Sequence, residues 1–557
     1  MYHIAQHYST THKQQTSHGL THTNTQADID IHFQFINRYS DADALHPLLK
    51  FPTKKLQKRA MPRLKFDASI PEEYYSEYWK NIGQNILTQQ LESKTLLNTN
   101  VAKNVIMFLG DGMSIPTITA ARVYIGGEEK QFSFEKFPYI GLSKTYCANT
   151  QVADSACTAT AYLGGVKANY ATIGVNAAVE LSDCIAQNNT YHHISSIAEW
   201  AQEQGLATGL ITTTAVTHAS PAGLYAHIAN RNWENDAEVL KDNGDPDLCP
   251  DIATQLIHGK VGKKFKVILG GGRVHFLPHT ENDLNGEPGR RLDNKNLIKE
   301  WQQEHGSHAY YVQTKEELLH LPHNTDHLLG LFAGNHMPFH LDANKTIIPD
   351  LNELVNVALN ILERLSNDKG YLLFVEGGRI DHAHHKTLAM KALDETAEFA
   401  KAIDYAREHT SIDDTLIVVT SDHSHTMSVA GYSSRKNDIF GINNGQLAAD
   451  KLPYATLSYA NGPGFNYNYL QQNGVMKRKN LVEVEMNHKE YMFPTAIPLA
   501  SETHGGDDVA VFASGPFAHL FSGTYEQNYI PYAMGYASCI GSNQKTACNA
   551  VQLSRKK

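Results

Sequence analysis

Three short segments gather side chains able to bind metals or move protons. Glu376-Gly377-Gly378-Arg379-Ile380-Asp381-His382-Ala383-His384-His385 places two carboxylates and three imidazoles within ten positions. Asp422-His423-Ser424-His425 adds another acid and two more imidazoles, and Gly110-Asp111-Gly112 adds a further acid. Carboxylate oxygens and imidazole nitrogens are ligands of zinc, and carboxylates with hydroxyls suit magnesium. The run Asp381–His385 is dense enough to read as metal-binding by itself. The other pieces have plainer readings when taken singly, because an Asp after a strand often caps a turn or helix. A fourth segment, Val152-Ala153-Asp154-Ser155-Ala156-Cys157-Thr158-Ala159-Thr160-Ala161, sets a serine at the start of a small-residue stretch that reads as a helix. A helix N-terminus favours an anion and supplies free N–H groups. No Ser-His-Asp arrangement is evident around Ser155, so a metal would have to activate its hydroxyl.

The elements that must position these side chains are short apolar runs alternating with helical stretches. VIMFL (105–109), GLITT (209–213), VILGG (267–271), YLLFVE (371–376), TLIVVT (415–420) and VAVFA (509–513) are nearly continuous in Val, Ile, Leu and Phe. Such runs are expected of strands covered on both faces, with helices between them, as over about 388–408. The pattern predicts an α/β fold: a three-layer sandwich with a large, mostly parallel central sheet flanked by helices. Ligands of open α/β sheets bind outside the carboxyl ends of the strands. There, VIMFL runs into Asp111, YLLFV into Glu376, TLIVVT into Asp422, and GLITT is followed by Thr214 and His218. Coincidence at four strand ends is far harder to dismiss than at one. Residues 431–503 break the alternation and read as a loop-rich, crown-like insertion before the last strand. Residues 72–99 carry a helical pattern, and no internal repeat is evident.

The 557 residues are 41% hydrophobic and 19% charged, an ordinary globular balance that excludes a mainly disordered chain, a collagen or a small disulfide scaffold. A formal net charge of −10 and no long basic run argue against nucleic acid as the main partner. Residues 1–70 are polar, lack sustained apolar periodicity and read as disordered, and their scattered histidines have no ligand-like grouping. No segment approaches the ~18 consecutive apolar residues of a membrane span, and neither a signal peptide nor a lipid-anchor tail is recognisable. The six cysteines, at 147, 157, 184, 249, 539 and 548, permit 15 pairings that sequence alone does not decide. Two Asn-x-Thr triplets, at Asn188 and Asn344, would suit an exported protein.

Taken in order, several motifs resemble the animal alkaline phosphatases: Gly-Asp-Gly-Met (110–113), Asp-Ser-Ala-x-Thr-Ala-Thr-Ala (154–161), Gly-Val-Lys-Ala-Asn (165–169), His-Ala-Ser-Pro-Ala-Gly (218–223), Asn-Arg-Asn-Trp (230–233), Val-Glu-Gly-Gly-Arg-Ile-Asp-His-x-His-His (375–385), Asp-His-Ser-His (422–425) and Glu-Thr-His-Gly-Gly (502–506). The resemblance implies a phosphatase domain over 71–548, an unrelated extension over 1–70 and a tail over 549–557. It implies hydrolysis of phosphate monoesters through a phosphoserine at Ser155. It further implies a first zinc on Asp381, His385 and His504, and a second on Asp111, Asp422, His423 and Ser155. A magnesium would sit on Asp111, His218, Ser220 and Glu376. Arg231 would clamp the phosphate, and His382 would support the substrate side near the first zinc. Cys184–Cys249 and Cys539–Cys548 match the family's two disulfides. A homodimer, and a cell-surface or extracellular location held by a lipid anchor, are also implied.

The chain departs from the family at several positions. Ser114 and Cys157 stand where the family has Gly, and Gly164 stands at an additional cysteine position. Cys157, two residues after Ser155, would either crowd the site or pair with Cys147. Ala333 and Ile348 stand where the family's calcium site has acids, so calcium is not expected. Two other readings compete with the phosphomonoesterase. One is a related metallohydrolase (phosphodiesterase, sulfatase or phosphomutase); the other is a catalytically inactive surface protein used for binding. Arg231, Glu376 and a serine nucleophile favour the first reading over a related hydrolase, and the complete ligand set argues against an inactive protein.

Overall fold

The computed structural model describes residues 80–85, 87–88 and 97–541. The expectations for 1–70 and 549–557, and the Cys539–Cys548 bridge, fall on or involve residues outside that set. Of the helix expected over 72–99, the described residues 80–85 and 87–88 are helical, whereas 97–99 are not.

A ten-stranded sheet organises the rest. Its strands are β1 (Asn104–Gly110), β2 (Tyr139–Lys144), β3 (Ala207–Ala215), β4 (Val267–Gly271), β5 (Ala309–Val312), β6 (His327–Leu331), β7 (Tyr371–Gly377), β8 (Thr415–Thr420), β9 (Val509–Ser514) and β10 (Gly523–Glu526). The spatial order is β10-β2-β9-β8-β1-β7-β3-β4-β6-β5. All neighbours are parallel except β9, which runs antiparallel to both β2 and β8. The expected mostly parallel sheet is therefore present, and all six apolar runs are strands in it. The run at 509–513 is not the last strand, because β10 follows and pairs with β2. Strands β2, β5, β6 and β10 escaped the sequence reading; β2 and β10 are interrupted by polar residues and glycine and are largely half-exposed, and β5 is only four residues long.

Alternation along β1 shows why the sheet needs cover on both faces. Val105, Met107 and Leu109 enter one apolar core, while Ile106 and Phe108 enter the other. Helices α1 (Ile115–Gly126), α4 (Leu351–Leu365) and α6 (Ala389–Glu408) pack in the second core, and α2 (Ser155–Gly164) and α7 (Ile530–Ser538) in the first. The short helices α3 (Ala219–Ala222) and α5 (Arg379–His385) lie at the strand ends. Helix α4 begins at Asp350, whose N–H donates to the Glu353 carboxylate at 2.8 Å, and it buries Leu351, Leu354, Val355, Ala358, Leu359 and Leu362 on one face. The 431–503 insertion is less irregular than expected: it contributes strands to a small three-stranded sheet and carries a hairpin over 469–478.

Candidate active site

Parallel register brings the chemistry to one level. Leu109 of β1 is paired with Glu376 of β7 and with Thr420 of β8, and Thr212 of β3 is paired with Glu376. The residues just beyond, Asp111 and Asp422, therefore emerge beside Glu376 at the carboxyl edge of the sheet. Helix α5 begins right after β7 and carries Asp381, His382 and His385. His504 lies 79 positions after His425, yet it joins the site because His504–Gly505 forms an antiparallel bridge with Ser424–His425. Ser155 is the first residue of α2 and is buried.

Three groups of donor atoms result. In the first, His504 Nε2 is 3.1 Å from His385 Nε2 and 3.3 Å from Asp381 Oδ1, and His385 Nε2 is 3.4 Å from Asp381 Oδ2. In the second, His423 Nε2 lies 3.2 Å from Asp422 Oδ2, 3.6 Å from Asp111 Oδ1 and 3.2 Å from Ser155 Oγ. Asp111, His218 and Glu376 converge as the third. Ser220 Oγ, Glu376 Oε1, Asp422 Oδ2 and both Asp111 carboxylate oxygens are buried without any hydrogen-bond partner. Buried polar atoms are normally paired, so this concentration of lone pairs fits cations.

The imidazoles are oriented for ligation. His504 Nδ1 lies 2.7 Å from the Ala153 carbonyl, and His385 Nδ1 lies 2.5 Å from the Glu502 carbonyl. A carbonyl only accepts, so Nδ1 carries the proton on each ring and Nε2 keeps its lone pair. Ser155 and Asp422 both meet His423, as the resemblance implied for a shared group. They are not a relay triad, because the serine and the acids meet the same ring nitrogen, whereas a triad acid holds the opposite one.

Electrostatics point the same way. Burial, reinforced by Asp422, Asp381 and Glu376, pushes the Asp111 carboxyl well above its usual range. Burial also raises Asp422, and it lifts Glu376 to about 7 despite donation from the Thr212 and Thr214 hydroxyls. Burial works against Asp381 too, but His385 and His425 outweigh it and hold that carboxyl well below its ordinary value. Acids crowded this way ionise together only beside positive charge.

Arg231 donates from Nη1 to Asp154 Oδ2 at 2.8 Å, and its Nη2 lies 3.1 Å from His218 Nε2. His382 packs against His336 and His218, with ring centroids 4.4 and 5.2 Å apart, and its Nδ1 meets Arg379 Nη1 at 2.7 Å. His382 thus borders the His218 group.

Several site residues were missed. His425 bridges Asp381 and Glu502, at 2.6 Å from each, and although burial alone would lower it these acids raise its pKa to about 10. Both His425 and Glu502 stood inside recognised motifs, and only their partners were hidden. Asp154 was readable as a helix cap, which it is, but not as the partner of Arg231. His336 carried no local signal at all.

An open, mostly parallel sheet whose carboxyl edge carries overlapping carboxylate–imidazole groups defines an α/β metalloenzyme. A family model described as alkaline phosphatase matches residues 102–540. The chain is 49% identical to the membrane-bound alkaline phosphatase of Bombyx mori over 459 residues, which is 81% of this chain and 82% of that protein. It is 46% identical to the human tissue-nonspecific alkaline phosphatase over 490 residues, 85% of this chain and 91% of that one. Among solved structures, the Thermus thermophilus alkaline phosphatase aligns with a TM-score of 0.56 at 21% identity, covering 82% of this chain and 96% of that one, a likeness of fold. The chain belongs to the alkaline phosphatase family. It is an enzyme, a phosphoric monoester hydrolase, in a family of metalloenzymes.

Proposed function

We propose that this phosphatase works through Ser155, with two zinc ions and one magnesium ion held by the three donor groups. The observation that carries the reading is Ser155 itself, buried at a helix N-terminus beside unpartnered carboxylate oxygens. The first zinc group is Asp381, His385 and His504, and the second is Asp111, Asp422 and His423 with Ser155. Magnesium suits Asp111, His218, Ser220 and Glu376, where oxygen donors outnumber the single imidazole; variants of the TAB5 alkaline phosphatase hold magnesium in their M3 site. When bound, such ions lower the pKa of a hydroxyl or water and neutralise charge on transferring phosphoryl oxygens.

The protein's own part is positioning. Ser155 Oγ attacks phosphorus in line and the alcohol leaves opposite, giving phosphoserine; water then displaces the serine, releasing inorganic phosphate. The free N–H groups at the start of α2 face the phosphoryl group. Arg231, held along one edge by Asp154, presents a planar fork to phosphate oxygens that lysine would not match. The reading extends to a homodimer at the cell surface or outside the cell. The Bombyx relative is named membrane-bound, and disulfides persist in oxidising compartments.

Hydrolysis of p-nitrophenyl phosphate at alkaline pH is the test. Activity should vanish with a chelator, return with zinc and magnesium, and fall by several orders of magnitude in Ser155→Ala. Full-rate turnover by Ser155→Ala, or indifference to chelation, contradicts the mechanism. Turnover of a diester but not a monoester would shift the reading to a phosphodiesterase.

A further inference from the structure

The segment that ends in Ser155 lies inside a covalent loop. Cys147 and Cys157, ten positions apart, are joined with their Cα atoms 5.7 Å from each other, and both are buried with Ala153 and Ala168. Residues 145–154 have neither helix nor strand, and Gln151 and Val152 at the tip are exposed. A loop of this kind is mobile unless something ties it down.

Three consecutive residues at the end of this loop each serve a different part of the site. The Ala153 carbonyl accepts from His504 at 2.7 Å. The Asp154 carboxylate accepts from Arg231 Nη1 at 2.8 Å, from Ala171 N at 3.0 Å and from Cys157 N at 3.3 Å. Ser155 Oγ lies 3.2 Å from His423. Ala171 returns the contact, because its carbonyl accepts from Arg231 N at 2.9 Å. Asp154, Ala171 and Arg231 therefore close a ring of hydrogen bonds. Ala171 sits at φ 63°, a left-handed conformation that an L-residue keeps only when its surroundings enforce it. Cys157 stands in the first turn of α2, and its own N–H is one of those Asp154 caps. The disulfide thus ties the loop to the helix at the residue that registers Asp154.

We propose that the Cys147–Cys157 disulfide is a positioning device for the reaction: it holds Asp154 at the place from which the carboxylate aims Arg231 at the substrate phosphate. The proposal rests on the roles given to Ser155 and Arg231 above. Without the bond, Asp154 keeps its hydrogen bonds from Cys157 N, Thr158 N, Thr158 Oγ1 and Ala171 N, but the loop that precedes it gains freedom and pulls on them. Arg231 then loses its alignment, while His504 is still held by its antiparallel bridge to His425. Ground-state phosphate binding suffers more than the chemical step.

The test is a double-mutant cycle. Cys147→Val/Cys157→Ala keeps the pocket apolar, and it is compared with wild type in both the Arg231 and the Arg231→Ala backgrounds. With Arg231 present, the inhibition constant for inorganic phosphate and the KM for p-nitrophenyl phosphate should rise roughly three- to tenfold, with a smaller fall in kcat. In Arg231→Ala, removing the disulfide should leave phosphate affinity unchanged. Zinc per chain should stay constant, and any drop in Tm should be equal in both backgrounds. Unchanged phosphate affinity with Arg231 present, or equal loss in both backgrounds, overturns the proposal, since a purely structural bridge does not distinguish them. If the double variant does not accumulate, Cys147→Ala alone carries the same expectation, because the Cys157 thiol keeps its bulk in the pocket. A wild-type enzyme that turns over without Ser155 sinks the underlying site reading. Normal Ser155-dependent turnover with disulfide-independent phosphate affinity sinks only the positioning role.

Discussion

His385 and His504 are able to serve as ligands because of what holds the far side of each ring. A backbone carbonyl takes the Nδ1 proton of both, so Nε2 faces the acids with its lone pair free. The same dependence on surroundings governs a carboxyl outside the site. Glu395, buried on α6, accepts from His340 N at 2.6 Å, and burial lifts its pKa from 4.5 to about 7. The folded chain therefore holds this proton more tightly than the unfolded chain does. The resulting stability is complete below about pH 4.5 and is lost as pH rises through about 7. Glu395→Gln, which imitates the protonated form, should match wild type near pH 4.5. It should exceed wild type by on the order of 3 kcal/mol at pH 8, as read from urea midpoints across the range.

At the scale of elements, β1, β7 and β8 each place a buried acid at or just past the carboxyl end of the strand, namely Asp111, Glu376 and Asp422. Gly112 makes the turn after β1. Its φ is 66°, a Cβ there would lie 2.4 Å from the His425 ring, and its N–H donates to Asp422 Oδ1 at 3.0 Å. Gly112→Ala should cost about 1–3 kcal/mol in stability through backbone strain. It should also push His425 from between Asp381 and Glu502, which joins the turn to the group proposed for the first zinc. Calorimetry and metal content per chain are the measurements. A variant with wild-type Tm and full zinc would show that the turn yields freely.

Across the whole molecule, two apolar cores on opposite sheet faces hold ten strands in register, and the site exists because their carboxyl ends are level. The Cys184–Cys249 bridge closes a loop of 65 positions on the face that carries α2. Long loops gain most from closure in the chain-entropy view, so Cys184→Ala/Cys249→Ala should lose about 4 kcal/mol. It should lower Tm while leaving the KM of the molecules that remain folded unchanged. A shift in KM as large as the one expected for the Cys147–Cys157 variant would mean that the two bridges act alike. Among the described residues no helix is long and apolar enough to cross a membrane.

Local chemistry was legible in the sequence because strand cores on a covered sheet must be continuous and apolar, and because Asp381–His385 packs donors too densely for a surface turn. Those signals sufficed for the sheet and for the acids after β1, β7 and β8; the family's motifs supplied the zinc and magnesium residues proposed above. Half-exposed strands such as β2 and β10 left no trace, since a strand that buries little need not be apolar. The family's motifs implied Cys184–Cys249, which is present, but left Cys147–Cys157 as one of two alternatives. Six cysteines read as letters have many partners, and Cys147 meets Cys157 only when α2 folds back against its own loop. His336, the contact of His425 with Asp381 and Glu502, and the grip of Asp154 on Arg231 all depend on distances between segments far apart in the chain. Residue types state which chemistry is available, but only packing sets which nitrogen keeps its lone pair, which carboxyl stays charged and which arginine is aimed.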